Sequence, residues 1–308
     1  MKLVVMIPAR NEEETIAQVI RRVPRRNETA SVVNVLVLDD ASDDKTAKIA
    51  EAEGAVVLRS KQRLGLARQF QRGLNEALSL GADLIVNIDA DMEHDAQEIP
   101  RLLEPIVRGE ADIVLGSRFA DGTRHAKLAN RIGNLLLTYL VNRLIGAQLS
   151  DAQTGFRAFS REAAARLNVL SKYTYVQDVI IQASYKRLKI VEVPISFHTR
   201  RGESRLIRSI PEYALRAGVT VVLTYLNYWP LRGFSLLALV LGLIGLAVGS
   251  RPMIHFLVTG QVSPYLSSAI LSALLLILAF LMLAIALLAE LTRGSRELVE
   301  DLLFREKY

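Results

Sequence analysis

Cysteine is absent from the 308 residues, so no disulfide, thiolate nucleophile or zinc-thiolate centre exists, as suits a domain facing a reducing compartment. Two familiar phosphate cradles are missing as well. No G-x-G-x-x-G turn follows the first expected strand and no G-x-x-x-x-G-K-[ST] loop occurs, so a bound nucleotide has to rely on acids and a metal. The N-terminal stretch lacks a basic segment followed by a long apolar core, so a cleaved signal peptide is not expected. The net charge of +6 suits a surface that handles phosphates or anionic lipid. Nucleic acid is the competing partner, but the basic residues gather beside apolar segments, and none is expected.

The apolar residues are unevenly spread. Phe234 to Val248 and Tyr265 to Ala289 carry no charged side chain, and the second exceeds the roughly 20 residues that span a bilayer. Spans are expected at about 231–249 and 264–291. Between Ala217 and Trp229 the apolar run is only about 13 residues long, which favours an interfacial helix over a third span, with Tyr225, Tyr228 and Trp229 at headgroup level. Gly245 and Gly249 offer a small-x-x-x-small packing face. Arg251 stands alone between the spans, whereas Arg293, Arg296, Arg305 and Lys307 follow them. An excess of basic residues on the cytoplasmic side puts the tail there, beside the front domain. The expected division is 1–205 for the front domain, 206–230 for interfacial helices, 231–291 for the membrane domain and 292–308 for a cytoplasmic tail.

The front domain alternates short apolar runs with helical patterns. Leu3–Ile7, Val32–Leu38, Val56–Leu58, Leu84–Ile88, Ile113–Leu115 and Val191–Ile195 read as strands. Helices are expected near Asn11, with Glu14 completing a capping box, and over 43–53, 65–80 and 95–107, the last with Asp95 and Glu98 as a second capping box. Such alternation implies an α/β domain whose mainly parallel sheet binds ligands beyond the carboxyl ends of its strands. Pro8 to Asn11, Asp39-Asp40 and Asp89-Ala90-Asp91 all lie at those ends.

Asp89, Asp91 and Glu93 fall at alternate positions just past the fourth strand, so their charges converge. Either such acids face water and a helix N-terminus, or a hard divalent ion sits among them together with a substrate's diphosphate.

Ile7-Pro8-Ala9-Arg10-Asn11-Glu12-Glu13, Val37 to Thr46, Arg63-Leu64-Gly65-Leu66-Ala67, Asp89-Ala90-Asp91 and Gly116-Ser117-Arg118 occur in that order. Together they resemble the motifs of family-two glycosyltransferases with the Rossmann-like GT-A fold, over about residues 1 to 205. Within that family the chain looks most like the dolichyl- or polyprenyl-phosphate hexose synthases. The resemblance implies a nucleotide-sugar donor, GDP-mannose or UDP-glucose with mannose favoured, a lipid-phosphate acceptor, and Mn²⁺ or Mg²⁺. It assigns Pro8, Arg10, Glu12, Asp40, Arg63 and Asp89 to the donor nucleotide, and Asp91 to the metal with Asp89 and Glu93. Relatives often have Gln where Glu93 stands. Asp151-Ala152-Gln153-Thr154-Gly155-Phe156-Arg157 resembles the segment lining the donor sugar, where Gly155 lets backbone approach a ligand. The basic loop with Arg200, Arg201 and Arg205 resembles one that closes over the donor.

From about Asn130 to Leu144 the chain reads as an amphipathic helix that could lie in a membrane interface, with Leu135, Leu136, Tyr139, Leu140 and Leu144 on one side. Arg118 and Arg131 near it can grip a phosphate in a bidentate fork, and the resemblance gives them the acceptor phosphate. Asp178 decides the reaction class. A sugar hydroxyl needs a carboxylate to remove its proton, whereas a phosphate monoester is already largely dianionic at neutral pH. With a phosphate acceptor Asp178 only positions; with a hydroxyl acceptor it is the base. The polymerases of this superfamily carry Q-x-x-R-W, and the single tryptophan, Trp229, lacks that context. A non-catalytic membrane anchor that retains the fold is the reading from another class.

Overall fold

The computed structural model describes residues 1–25, 30–119, 128–169, 171, 174–197 and 210–307, without the side chains of 128–132 and 210–216. Contacts divide the chain into two compact units, 1–222 with 300–308, and 223–299. That division differs from the boundaries expected at 205, 230 and 291.

The first unit is built on a seven-stranded sheet. Strands β1 (Lys2–Ala9), β2 (Val32–Asp39), β3 (Val56–Arg59) and β4 (Leu84–Asn87) run parallel. Strand β5 (Ile113–Ser117) is parallel to β7 (Ile190–Pro194), and β6 (Arg157–Ser160) lies antiparallel between β4 and β5. The order β3-β2-β1-β4-β6-β5-β7 reverses direction between β1 and β4, which opens a crevice beyond their carboxyl ends. Leu3 to Ile7 are buried on both faces of β1, as a central parallel strand requires. Leu3, Val5 and Ile7 face Ile16, Val19 and Ile20 of α1 (Ile16–Arg22) and Ile99, Leu102 and Leu103 of α4 (Ile99–Val107). On the opposite face α3 (Leu66–Ser79) comes so close that a Cβ on Gly73 would stand 2.5 Å from Leu38 Cδ1. Helix α2 (Thr46–Ala52) links β2 to β3, and α5 (Leu128–Ile145), α6 (Arg161–Arg166) and α7 (Val176–Tyr185) complete the layers.

Two helix starts differ from expectation. Thr15, not Asn11, precedes α1, and Asn11 takes the left-handed conformation instead, its Oδ1 accepting from the Asp43 amide at 2.9 Å. Asp95 does cap the short 3-10 turn Ala96–Glu98 ahead of α4, but Glu98 reaches away to the amide and hydroxyl of Ser196. The strand β6 carries no alternation and only four residues, and sequence patterning gave no sign of it.

Helix α8 (Ile210–Tyr228) is longer than the 217–229 segment expected, and it is not among the helices apolar enough to cross a membrane. Among the described residues two are: α9 (Pro230–Thr259) and α10 (Leu266–Lys307), with only 11% of the most apolar window of each buried. Inside the second unit the two glycines do close the packing. Ser272 Oγ donates to the Gly245 carbonyl at 2.7 Å, and a Cβ on Gly249 would stand 2.3 Å from that same hydroxyl. Helix α10 runs on past Leu291, the expected end of the second span, to Lys307, and from Glu300 onward it belongs to the first unit.

Candidate active site

Three loops leave the carboxyl ends of β1, β2 and β4, and each contains a non-glycine residue in left-handed backbone: Asn11 (φ 55°), Ala41 (φ 55°) and Met92 (φ 63°). Side chains other than glycine reach that conformation at a cost, and such strain collects at functional sites. The first two loops are tied together. The Asn11 amide donates to Ser42 Oγ at 3.0 Å and the Glu12 amide to Thr46 Oγ1 at 2.8 Å. Pro8, Arg10 and Glu12 are half-buried along this seam.

Asp39 and Asp40 are buried at the end of β2. Asp39 meets Arg59 at 3.3 Å. Asp40 accepts the Leu64 amide at 2.6 Å, the Gly65 amide at 3.1 Å and Gln69 Nε2 at 3.0 Å. Its carboxylate therefore holds the turn ahead of α3, where Gly65 has a φ of 86° that favours glycine. Arg63 is exposed on the same turn. Asp40 thus shapes this wall of the crevice.

The β4 loop carries the acids. The Asp89 carboxylate lies directly against Gly155: a Cβ there would stand 2.5 Å from Oδ2. Asp91 Oδ1 accepts the Glu93 amide at 3.1 Å, which tightens the turn. Among the described residues, no three acids or histidines gather into a self-sufficient metal centre, so the expected trio of Asp89, Asp91 and Glu93 is not preassembled. An ion shared by one or two carboxylates and a diphosphate needs no such trio. The hard oxygen donors of Asp89 and Asp91, one of them seated on a glycine floor, fit that kind of ion.

Arg118, at the end of β5, forks onto Asp151 through Nε (2.6 Å) and Nη2 (3.0 Å), and Phe119 and Phe197 lie over its guanidinium. Burial opposes the charge on Arg118, but the hydrogen bond and charge of Asp151 outweigh it, with help from Glu93 and Asp89, and raise its pKa above the ordinary range. Burial likewise pushes Asp151 up, but Arg118 and Asn134 prevail and hold its carboxyl below the usual range. Glu192 of β7 accepts the amides of Ser150 and Asp151 at 2.7 and 2.8 Å and so fixes the loop. Two of the Arg118 nitrogens that sequence reasoning offered to an acceptor phosphate are thus engaged by a carboxylate. Arg131 lies in α5, its side chain outside the described set, and Arg201 and Arg205 lie outside the described residues.

Sequence reasoning placed Arg157 in the sugar-lining segment but missed its role: among the described residues it is the largest fully buried side chain. It donates to the carbonyls of Thr154 (2.8 Å), Val176 (2.8 Å) and Ala152 (3.1 Å), joining the Asp151–Gly155 loop to the start of α7. Burial pushes its pKa down to about 10, partly countered by Tyr175, Asp151 and Asp89, so it stays cationic at neutral pH. Tyr175 stacks on Phe70 with ring centroids 3.9 Å apart, and Asn87 donates to both Tyr175 Oη and the Gly155 carbonyl at 2.9 Å. A polar residue inside the apolar run of β4 was the available clue. Asp178, in the first turn of α7, is buried, with Oδ1 accepting from Gln182 at 2.9 Å and Oδ2 from the Ser171 amide at 3.3 Å. Beyond this site, a cavity of about 480 Å³ opens beside Gly146, Arg187 and Glu192 at the start of β7, with none of the expected residues in its wall.

A β3-β2-β1-β4 core, one antiparallel strand inserted after it and aspartates on the switch-point loops define the GT-A class of Rossmann-like fold. Residues 4–167 match the family described as Glycosyl transferase family 2, and the chain belongs to that family. It is 34% identical over 259 residues to the low-salt glycan biosynthesis hexosyltransferase Agl6 of Haloferax volcanii, covering 80% of this chain and 61% of that one. It is 30% identical over 222 residues to the dolichol-phosphate mannosyltransferase of Pyrococcus furiosus, covering 67% and 59%. The chain therefore spans about three fifths of the length of either relative. Among solved structures, glucosyl-3-phosphoglycerate synthase from Mycobacterium tuberculosis with Mn²⁺, UDP-glucose and phosphoglyceric acid superposes with a TM-score of 0.57 and 26% identity, over 74% of this chain and 79% of that one.

Proposed function

We propose that the protein transfers a hexose, mannose in preference to glucose, from a nucleotide sugar to a polyprenyl or dolichyl phosphate, with inversion at the anomeric carbon. The observation that carries the reading is the Asp89 carboxylate, at the end of the strand where the sheet order reverses, pressed onto Gly155 in the same loop as the buried Asp151 that holds the half-buried Arg118. Donor chemistry and acceptor phosphate chemistry then adjoin. Relatives named for dolichyl phosphate and a Mn²⁺-bearing structural neighbour support the same reading.

In this reading Pro8, Arg10, Glu12 and Arg63 face the nucleoside, and Asp40 supports that wall. Asp91, with Asp89, would hold Mn²⁺ or Mg²⁺ against the donor diphosphate, where the ion supplies charge to the departing group. Glu93 is a weaker candidate, since its charge also acts on Arg118. An oxygen of the lipid phosphate attacks the anomeric carbon as the bond to the diphosphate breaks, and the nucleoside diphosphate leaves with the electron pair. The dianionic phosphate needs no base. Asp178 fits a positioning role, because both its oxygens already accept hydrogen bonds from Gln182 and Ser171. Arg131 and the remaining nitrogen of Arg118 would meet the acceptor phosphate, and Arg201 and Arg205 would close over the diphosphate.

Helix α5 supports an acceptor delivered from lipid. Its polar Asn134 and Asn142 turn inward, to Asp151 and Leu149, while Leu135, Leu136 and Tyr139 are exposed. A helix with that pattern suits a membrane interface. With α9 and α10 spanning the bilayer, the excess of basic residues beyond the apolar run of α10 (Arg293, Arg296, Arg305 and Lys307) argues for a catalytic domain on the cytoplasmic face.

The full-length protein, incubated with labelled GDP-mannose or UDP-glucose, a polyprenyl phosphate and Mn²⁺, is expected to yield organic-extractable sugar, most from GDP-mannose, with none in EDTA. Absence of transfer from every donor overturns the reading.

A further inference from the structure

The last turns of α10 belong to the first unit and fasten onto the end of α6, Asn168 just after it, and the residue that closes α7. Glu300 Oε2 pairs with Lys186 Nζ at 2.7 Å, with both side chains largely buried. The Arg166 guanidinium lies 5.2 Å over the Phe304 ring. At the tip, Lys307 Nζ donates to Asn168 Oδ1 at 2.9 Å across 139 positions of sequence. Three different interactions, ionic, cation–π and polar, thus pin residues 300–307 to one patch.

What lies under that patch gives it consequence. Asn168 and Gln182 exchange two hydrogen bonds: the Asn168 amide donates to Gln182 Oε1 at 3.0 Å, and Gln182 Nε2 donates to the Asn168 carbonyl at 2.8 Å. The same Nε2 donates to Asp178 Oδ1 at 2.9 Å, while the Ser171 amide holds Oδ2 at 3.3 Å. Next to Asp178, Gln177 reaches Gln153 in the loop whose Gly155 supports Asp89. Hydrogen bonds from Lys307 to Asp178, and the peptide link to Gln177, therefore join the last turn of α10 to the loop that carries Gly155. Asn168 also has its Val169 neighbour held by Gln71 of α3 at 2.6 Å, so the stretch is gripped from the opposite side as well.

We propose that Lys307 is a positioning residue of the transferase, acting through Asn168 and Gln182 to fix the carboxylate of Asp178 and the first turn of α7. The tail is then a working part of the catalytic unit. This rests on the transfer reading given above, in which Asp178 orders the sugar side of the crevice. Coupling between sites through packed polar contacts is commonly worth a few-fold to some thirtyfold. Methionine in place of Lys307 keeps an unbranched apolar stem of similar length and removes the ammonium donor.

The test compares full-length wild type, K307M, K307R, D178N and K307M/D178N in detergent or nanodiscs, by transfer kinetics and by amide hydrogen exchange. K307M is expected to lower kcat about fivefold with the donor KM unmoved, and to speed exchange at the Asn168 and Ser171 amides. K307R should restore both, since a guanidinium still donates to Asn168. In the D178N background K307M should cost nothing further, because the residue it acts through is already altered. Unchanged exchange at Asn168 and Ser171, or a kcat loss as large in D178N as in wild type, overturns the proposal. If wild type itself transfers no sugar, the transfer reading fails, and the exchange result alone then decides whether Lys307 orders this segment.

Discussion

The strands of the first unit and the helices of the second are made of the same residue types, leucine, isoleucine, valine and alanine, yet they solve opposite problems. In β1 and β2 those side chains are buried by the protein itself: Leu3 to Ile7 and Leu36 to Leu38 have no exposed surface. In α9 and α10 only 11% of the most apolar windows is buried, and Leu243, Ile270, Leu274 and Leu288 lie open. The first set makes its own apolar interior. The second leaves its apolar surface open, on helices long and apolar enough to cross a bilayer. Helix α5 sits between the two cases, with polar residues directed inward and apolar ones outward. Hydrophobicity alone therefore does not say where a side chain goes; the hydrogen-bonding needs of its neighbours do.

The contrast is sharpest where chemistry is at stake, and it can be broken from the first unit alone. Asp91→Ala should reduce sugar transfer by about a thousandfold or more, roughly 4 kcal/mol of transition-state stabilisation, while leaving thermal unfolding in detergent near that of wild type. Unaltered transfer would remove Asp91 from the mechanism.

Next in size is a matched pair of truncations. Leu36→Ala should destabilise the first unit by about 3 kcal/mol, since a cavity opens in a sealed core. Leu243→Ala, on an exposed helical face, should change its stability by less than about 0.5 kcal/mol. Thermal unfolding of the two variants in the same detergent checks this, and equal losses would erase the distinction drawn between the units.

Gly155→Ala tests close approach within the crevice. The new Cβ would meet Asp89 Oδ2 at 2.5 Å, so the carboxylate or the loop must move. A displacement of that kind should cost about thirtyfold in transfer, with nucleotide affinity, read by thermal shift with GDP or UDP and Mn²⁺, falling as well.

The smallest effect concerns pH. Asp151 titrates below its ordinary value because Arg118 and Asn134 overcome the effect of burial. A carboxyl depressed on folding stabilises above its unfolded pKa of about 3.9, and that stability is lost as pH falls through the folded value. Wild type should therefore lose stability below about pH 4 more steeply than Asp151→Asn, whose baseline is lower throughout because the half-buried Arg118 is left without its counter-charge. Urea midpoints between pH 3 and 6 measure it; parallel curves would refute the assignment.

Much of the sheet was legible in the sequence, because continuous apolar runs alternate with helical spacing from Leu3 to Val107. The acids of the β4 loop were legible too, since three carboxylates at alternate positions stand out against a buried strand. What escaped depends on partners far away in sequence. Strand β6 is four residues that pair on both edges with β4 and β5, so its identity comes from neighbours rather than from its own pattern. Sequence puts Arg157 in the segment lining the donor sugar but does not reveal the three carbonyls that close around it. Asn11 reads as a helix cap until the second loop offers its amide at Asp43. Glu98 reads as half of a capping box until Ser196 arrives from 98 positions away.

The inverted polarity of α5 has a practical consequence. Cutting the chain before α9 discards the long greasy helices, but Leu135, Leu136 and Tyr139 remain on display, fixed there by the asparagines on the reverse side. Such a fragment would still crave amphiphile, self-associating in plain buffer and behaving in the presence of a mild surfactant or a lipid disc.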